Sequence, residues 1–373
     1  MTAERKNIKI DSNFSPRKTL IVGGGLAGIL MAFRLWQNQK PFLLIDEQAG
    51  KLSSAVASGL INPVVVKHFG LSWMAEKLVP EAVKMYQNLE EITSSKFFHP
   101  LKIFRSFHQP EEAKLWNRRR DEEKNAHFFM EEAPSPAPPY THSPYGGAVI
   151  QNAARVDVEI FMETTRHFLI RKQLLHSEKF NYQSLQPSMD GWTYKNETFS
   201  YVIFCQGIQS TENPWFQWLP VNPLKGQLLK INHPFLSNQQ AISQKIFILP
   251  QEGQSFKVGA TYEHCREEGN TREGIEQLTN GFKELIRGDG EDAGLEIAET
   301  YYGFRPTIPD RRPVLGEHPL HKGLYVFNGL GSKGYMLAPW FSDHLYRHIF
   351  EGIPLMDEVS VMRYAKRMEK PEF

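Results

Sequence analysis

Residues 19–37 read TLIVGGGLAGILMAFRLWQ, and the change of pattern inside this stretch decides the fold. Residues 19–22 are apolar or β-branched with no polar alternation, as in a strand covered on both faces. Three glycines follow. Then Leu26, Ile29, Leu30, Phe33 and Leu35 recur at the spacing of a helix packed on a sheet. Residues 41–47, PFLLIDE, form a second buried strand that ends in acid. The result is a β-α-β unit of about 30 residues, the size of a dinucleotide-binding unit. Gly23, Gly25 and Gly28 satisfy G-x-G-x-x-G, with Leu26 and Ala27 between the last two. Gly23 permits the tight turn, Gly25 lets the backbone approach a pyrophosphate, and Gly28 allows close helix–strand packing. Asp46 and the adjoining Glu47 close the second strand, where an acid can accept the ribose hydroxyls of an adenosine and disfavours a 2′-phosphate. Strand before, helix after and acid at the expected distance together make the motif specific for a dinucleotide. They leave FAD and NAD both open.

Working outward, 373 residues are enough for about two domains. Apolar residues make up 41% and charged residues 23%, the balance of a globular protein, and a net charge of +1 provides no global attraction for nucleic acid or anionic membrane. Arg118, Arg119 and Arg120 are followed at once by Asp121 and two glutamates, which reads as a compensated helix surface. Cys205 and Cys265 are too few for a disulfide framework or a zinc site, and the polar N-terminus has no signal-peptide core. A cytoplasmic protein without a membrane span is expected. No histidine stands in HExxH spacing, and no catalytic triad emerges.

Residues 71–125 read as mostly helical, and residues 131–147 as a proline-rich loop. Helical periodicity returns after Asp157. Residues 198–207, TFSYVIFCQG, are a buried strand ending at Gly207. PLKGQLLKI, KIFILPQ and SFKVGATYE are strands of an antiparallel sheet, TREGIEQLTNGFKELI is an amphipathic helix, and residues 323–350 repeat the opening order of strand, glycine turn and helix. Residues 303–316, GFRPTIPDRRPVLG, contain Pro306, Pro309 and Pro313, so they cannot form a long helix and read as a rigid turn-rich segment. Arg305 within it suits either a carboxylate clamp or a structural ion pair.

Four of these stretches, in this order, resemble the FAD-dependent D-amino-acid oxidase superfamily. SSAVASGLINP is similar to its segment along the flavin ribityl chain, which implies FAD contacts for Ser53, Ser54, Ala57 and Ser58. YVIFCQGI resembles its strand ending near the flavin at Gly207. GFRPTIPDRRPVLG resembles its R-P-x-x-x-D-x-x-P-x-x-G segment. GLYVFNGLGSKGYMLAP resembles its closing strand and turn, which implies that Gly329, Gly331, Ser332, Lys333 and Gly334 meet the flavin ring. The resemblance runs from Thr19 to about His348 and includes glycine oxidases, sarcosine oxidases and an FAD-dependent tRNA-modifying oxidoreductase.

The resemblance implies an α/β protein with a Rossmann-type FAD-binding domain and a second domain of mostly antiparallel β-sheet plus helices. Residues 1–62, 146–212 and 300–373 are assigned to the first domain, and residues 63–145 and 213–299 to the second. It implies oxidation of a C–N bond in a small amino acid or N-substituted amino acid, with oxygen or a respiratory chain reoxidising the flavin. Arg305 is expected to hold the substrate carboxylate, and Lys333 to stand near flavin or substrate, or else at the surface. Phe247 lines the substrate pocket where some members carry a tyrosine. Gly303 occupies the place of the cysteine that links flavin in sarcosine oxidases, so FAD is expected to bind noncovalently. A tRNA-modifying oxidoreductase and a non-catalytic dinucleotide-binding module are the alternatives.

Overall fold

The structure, a computed structural model, describes residues 17–47, 54, 56–122, 127–129, 133–287 and 295–368. The opening strand β1 (Thr19–Val22) is flanked in parallel by β2 (Phe42–Asp46) and β10 (Tyr201–Phe204). The parallel run continues to β6 (Leu175–Ser177) on one side and β17 (Leu324–Asn328) on the other, and β16 (Val314–Glu317) closes that edge antiparallel. The order of this six-stranded sheet is β16-β17-β10-β1-β2-β6.

Both faces of this sheet are covered, which is why β1 has no polar positions. Ile21 and Leu44 face helices α1 (Leu26–Gln37), α4 (Val158–Arg171) and α6 (Gly334–Glu351). Leu20, Val22, Leu43 and Ile45 face the other way, onto Leu185, Trp192, Tyr194 and Phe199. These last four belong to a small antiparallel sheet of β7 (Leu185–Ser188), β8 (Gly191–Tyr194) and β9 (Glu197–Phe199). The strand period of two thus divides one apolar run between two cores.

The second sheet has eight strands: β15 (Glu296–Thr307), β11 (Asn222–Asn232), β14 (Ser255–Gly259), β13 (Phe247–Pro250), β12 (Gln240–Ser243), β4 (Phe98–Ser106), β5 (Gly147–Val156) and β3 (Leu60–Ile61), in that order. Every pairing is antiparallel except β12 with β4. Helix α5 (Arg272–Leu285) packs Leu278, Phe282 and Leu285 against Leu229, Ile231, Ile248 and Val258 of this sheet. Helices α2 (Ala75–Thr93) and α3 (Glu111–Arg120) complete the fold.

Three expectations change. Residues 71–125 are not continuously helical, because β4 runs between α2 and α3 with Phe98, Ile103 and Phe104 buried; residues 123–125 lie outside the described residues. Residues 303–307 are not part of a turn but the end of β15, with Arg305 opposite Leu224 of β11. The strands at 147–156 and 296–307, expected at least in part with the nucleotide-binding residues, hydrogen-bond into the eight-stranded sheet. Among the described residues, no helix is long and apolar enough to cross a membrane, and no cluster of His, Cys, Asp or Glu could hold a metal.

Candidate active site

A cavity of about 930 Å³ runs between the two sheets, from the glycine loop after β1 to Arg305 on β15. At its first end the backbone turns at Gly23, whose φ of +103° favours glycine, and a Cβ there would come within 2.6 Å of the Cys205 carbonyl oxygen. A Cβ on Gly28 would lie 1.9 Å from the Gly23 carbonyl oxygen, so this glycine lets α1 seat against the loop. Gly25 is the N-cap of α1 and carries no capping side chain. The Leu26 N–H donates to Ser54 Oγ at 3.0 Å, and Ser54 itself is tied by Tyr335, whose hydroxyl donates to its carbonyl at 2.8 Å. The bare backbone and the positive end of a twelve-residue helix suit an anion.

Asp46 is not the free strand-end carboxylate that its position suggests. One oxygen accepts the Gly24 N–H at 2.7 Å, and the other accepts Arg166 Nη1 of α4 at 2.6 Å. Glu47 is exposed and outside the cavity lining.

The middle of the cavity is bounded by the glycine turns after β10 and β17. Gly207 and Gly331 both have φ of +54°, and a Cβ on either would meet nothing closer than 3.9 Å, so both face open space. Asn328 joins the turns. Its Nδ2 donates to the Gly207 carbonyl at 2.7 Å and to Ser210 Oγ at 2.9 Å, while its Oδ1 accepts the Gly329 N–H at 2.8 Å. Lys333 lies in the second turn and is half-buried: its Nζ donates to Ser72 Oγ, and desolvation pulls its pKa down to about 8.

At the far end, the Arg305 guanidinium donates to the carbonyls of Thr261 (3.1 Å) and Lys225 (3.4 Å) and lies 4.6 Å from the ring centroid of Tyr262. A Cβ on Gly226 would strike this guanidinium at 2.1 Å. Burial lowers its pKa, and among the described residues no carboxylate is within ion-pairing distance. A half-buried guanidinium beside a cavity, with no carboxylate in contact among the described residues, has donors of the geometry that suits an anionic partner.

The cavity therefore brings together Gly23, Gly25, Leu26, Ala27, Asp46, Ser54, Ala57, Ser58, Gly207, Phe247, Arg305, Gly331, Ser332, Lys333 and Gly334. Gly28 and Gly329 stand behind its wall; a Cβ on Gly329 would meet Ile308 at 2.6 Å. Ser53 lies outside the described residues. Sequence reasoning missed Gln244, Tyr262, Glu268, Tyr302 and Asn328, all of which line the cavity. Of these, only Asn328 carried a local signal, as a polar residue at the end of a buried strand just before glycine. Asp310 forms an ion pair with Arg363 at 2.9 Å. It also accepts the backbone N–H of Arg312, whose guanidinium stacks on Trp73.

The comparisons agree with this geometry. The chain is 23% identical to the glycine oxidase of Pseudomonas putida over 91% of its own length and 96% of that protein. It is 22% identical to the bifunctional protein ThiO/ThiG of Trichormus variabilis and 24% identical to the tRNA 5-methylaminomethyl-2-thiouridine biosynthesis bifunctional protein MnmC of Idiomarina loihiensis. It covers 94% and 87% of itself in those matches, but spans only 56% and 54% of the two bifunctional relatives. Glycine oxidase from Geobacillus kaustophilus has the same fold, with a TM-score of 0.74 at 19% identity over 91% of this chain and 96% of that one. Iminodiacetate oxidase from Chelativorans sp. BNC1 also shares it, with 0.73 at 20% identity over 93% and 98%. Residues 18–347 match the profile of the family described as FAD dependent oxidoreductase, and with the glycine loop, the cavity and this coverage in hand, the chain belongs to that family of FAD-binding enzymes.

Proposed function

We propose that this protein oxidises a C–N bond in a small amino acid or N-substituted amino acid. The observation that carries the reading is the half-buried Arg305 guanidinium at one end of a cavity whose other end is the dinucleotide loop. The residues suit FAD: a glycine loop a side chain would fill, a helix N-terminus for the pyrophosphate, and two glycine turns facing the space between. Asp46 retains acceptor capacity for the adenosine ribose, because a carboxylate offers about four lone-pair sites and two are in use. FAD, when bound, supplies the hydride acceptor.

The chain's own residues position the substrate. Arg305 grips its carboxylate with two parallel donors and so fixes the α-carbon at one distance from the cavity floor. Phe247, Tyr262 and Tyr302 line the same cavity, and two of the three carry hydroxyls. An amine that enters neutral loses a hydride from carbon and a proton from nitrogen, and the resulting imine adds water to release a carbonyl compound and an amine. Position carries this chemistry, so no dedicated acid or base is required.

The test is anaerobic reduction of the holoprotein with an amine panel, followed by Arg305→Leu. That variant should retain FAD yet lose about 10²-fold in kcat/KM for a carboxylated amine, about 3 kcal/mol. A decarboxylated analogue should lose far less, and equal losses on both would sink the clamp. A second reading, oxidation of a carboxymethylaminomethyl group on tRNA, is favoured by the likeness to the MnmC half. Salt-sensitive tRNA binding would support it, since phosphate contacts weaken steeply with salt.

A further inference from the structure

The glycine loop carries one glycine more than its motif needs: Gly24 occupies a variable position. The structure supplies the reason. A Cβ on Gly24 would lie 2.7 Å from both Asp46 Cγ and Arg166 Nη1. The loop is wrapped on a buried ion pair between the last residue of β2 and the middle of α4, with Asp46 and Arg166 7% and 8% exposed. Asp46 holds the Gly24 N–H at 2.7 Å, and Arg166 holds the Gly24 carbonyl at 3.3 Å, so both polar groups of that residue are fixed by one pair.

Of this pair, Asp46 lines the cavity and Arg166 does not. The Nη2 of Arg166 is buried with no hydrogen-bond partner among the described residues. Burying a guanidinium with one donor unsatisfied costs stability, and such a pair is poor evidence of a stabilising device. Its placement has another use. The pyrophosphate of FAD is an anion that must settle on the loop a carboxylate already occupies. Unneutralised, Asp46 would repel it at short range in a region of low dielectric.

We propose that Arg166 is a positioning residue for FAD. It cancels the Asp46 charge beneath the glycine loop and holds Gly24 in the shape that receives the pyrophosphate. This inference rests on FAD binding at that loop, and it is separate from the assignment of Asp46 to the ribose hydroxyls.

The experiment is equilibrium dialysis of FAD against the full-length chain, read by flavin fluorescence. Arg166→Met should raise the Kd for FAD at least tenfold, because the carboxylate is left uncompensated. In the Asp46→Asn background, which removes that charge and keeps an acceptor for Gly24, the same Arg166→Met substitution should cost much less. The loss is therefore smaller without the Asp46 charge than with it, whatever Asp46→Asn itself costs at the ribose, a sign that a merely structural role would not produce. Arg166→Gln, the smaller disruption, is measured alongside and read by the same criterion should the Met variant not fold. A wild-type Kd in Arg166→Met would overturn the proposal, and so would an Arg166→Met loss as large in the Asp46→Asn background as in the parent. Asp46→Asn alone reports on the ribose: an unchanged Kd there removes the ribose contact and leaves the Arg166 inference standing.

Discussion

Lys333 shows how burial converts a common side chain into a titrating one. Among the described residues its ammonium is held by Ser72, and burial lowers the pKa to about 8 from 10.5. Between those two values the unfolded chain binds more protons than the folded one, so stability rises with pH across that window. The burial penalty is fully present below about pH 8 and has vanished by about pH 10.5. We expect Lys333→Met to gain stability at pH 7 relative to the parent and to lose that relative gain by pH 10, as read by urea denaturation of the FAD-free chain at both values. A gain independent of pH would show that the ammonium is solvated. The sequence marked Lys333 as near the flavin or exposed, and its glycine neighbours could not separate the two. The partner that holds the ammonium, Ser72, lies 261 residues away in the chain.

At the scale of elements, β1, the glycine turn and α1 were legible because each obeys a local rule: an unbroken apolar strand, positive φ at glycine and helical periodicity. Their packing explains the motif's last glycine. Gly28→Ala puts a Cβ against the Gly23 carbonyl, backbone on both sides, with no flexible neighbour to yield. Overpacking of this kind costs about 1–3 kcal/mol. Denaturation midpoints should fall accordingly and FAD should be released at lower denaturant, whereas an unaltered midpoint would mean that α1 can slide away from β1. Strand β4 was illegible for the opposite reason. Its sequence, FHPLKIFRS, has a proline and no clean alternation, and its pairing with β5 and β12 comes from distant residues. The same holds for Arg305. Three prolines after it suggested a rigid turn, but its stiffness comes from the ladder between β15 and β11, where Pro306 meets Pro223.

For the whole molecule, the expectation is a yellow protein whose flavin leaves with the supernatant on acid precipitation, since Gly303 offers no thiol for a covalent bond. Colour that stays in the pellet would refute this. Family, fold class and cofactor were all written in motifs that bind through backbone: glycines, a helix N-terminus and buried strands report themselves, because their chemistry depends on local conformation. The ends of the cavity were half written. Arg305 and Phe247 could be named by resemblance, yet Gly226, which makes room for the guanidinium, and Tyr262, which stacks on it, come from two other strands or their connections. Arg166 left no mark at all in the sequence. It is one cationic residue on an amphipathic helix, and only the packing of α4 on β2 carries it to Asp46. What the sequence determined by itself is the set of interactions made between near neighbours along the chain, where a few residues restrict the backbone. Tertiary structure decided which charges face one another, because a side chain's partner is fixed by the path of the whole chain through two sheets.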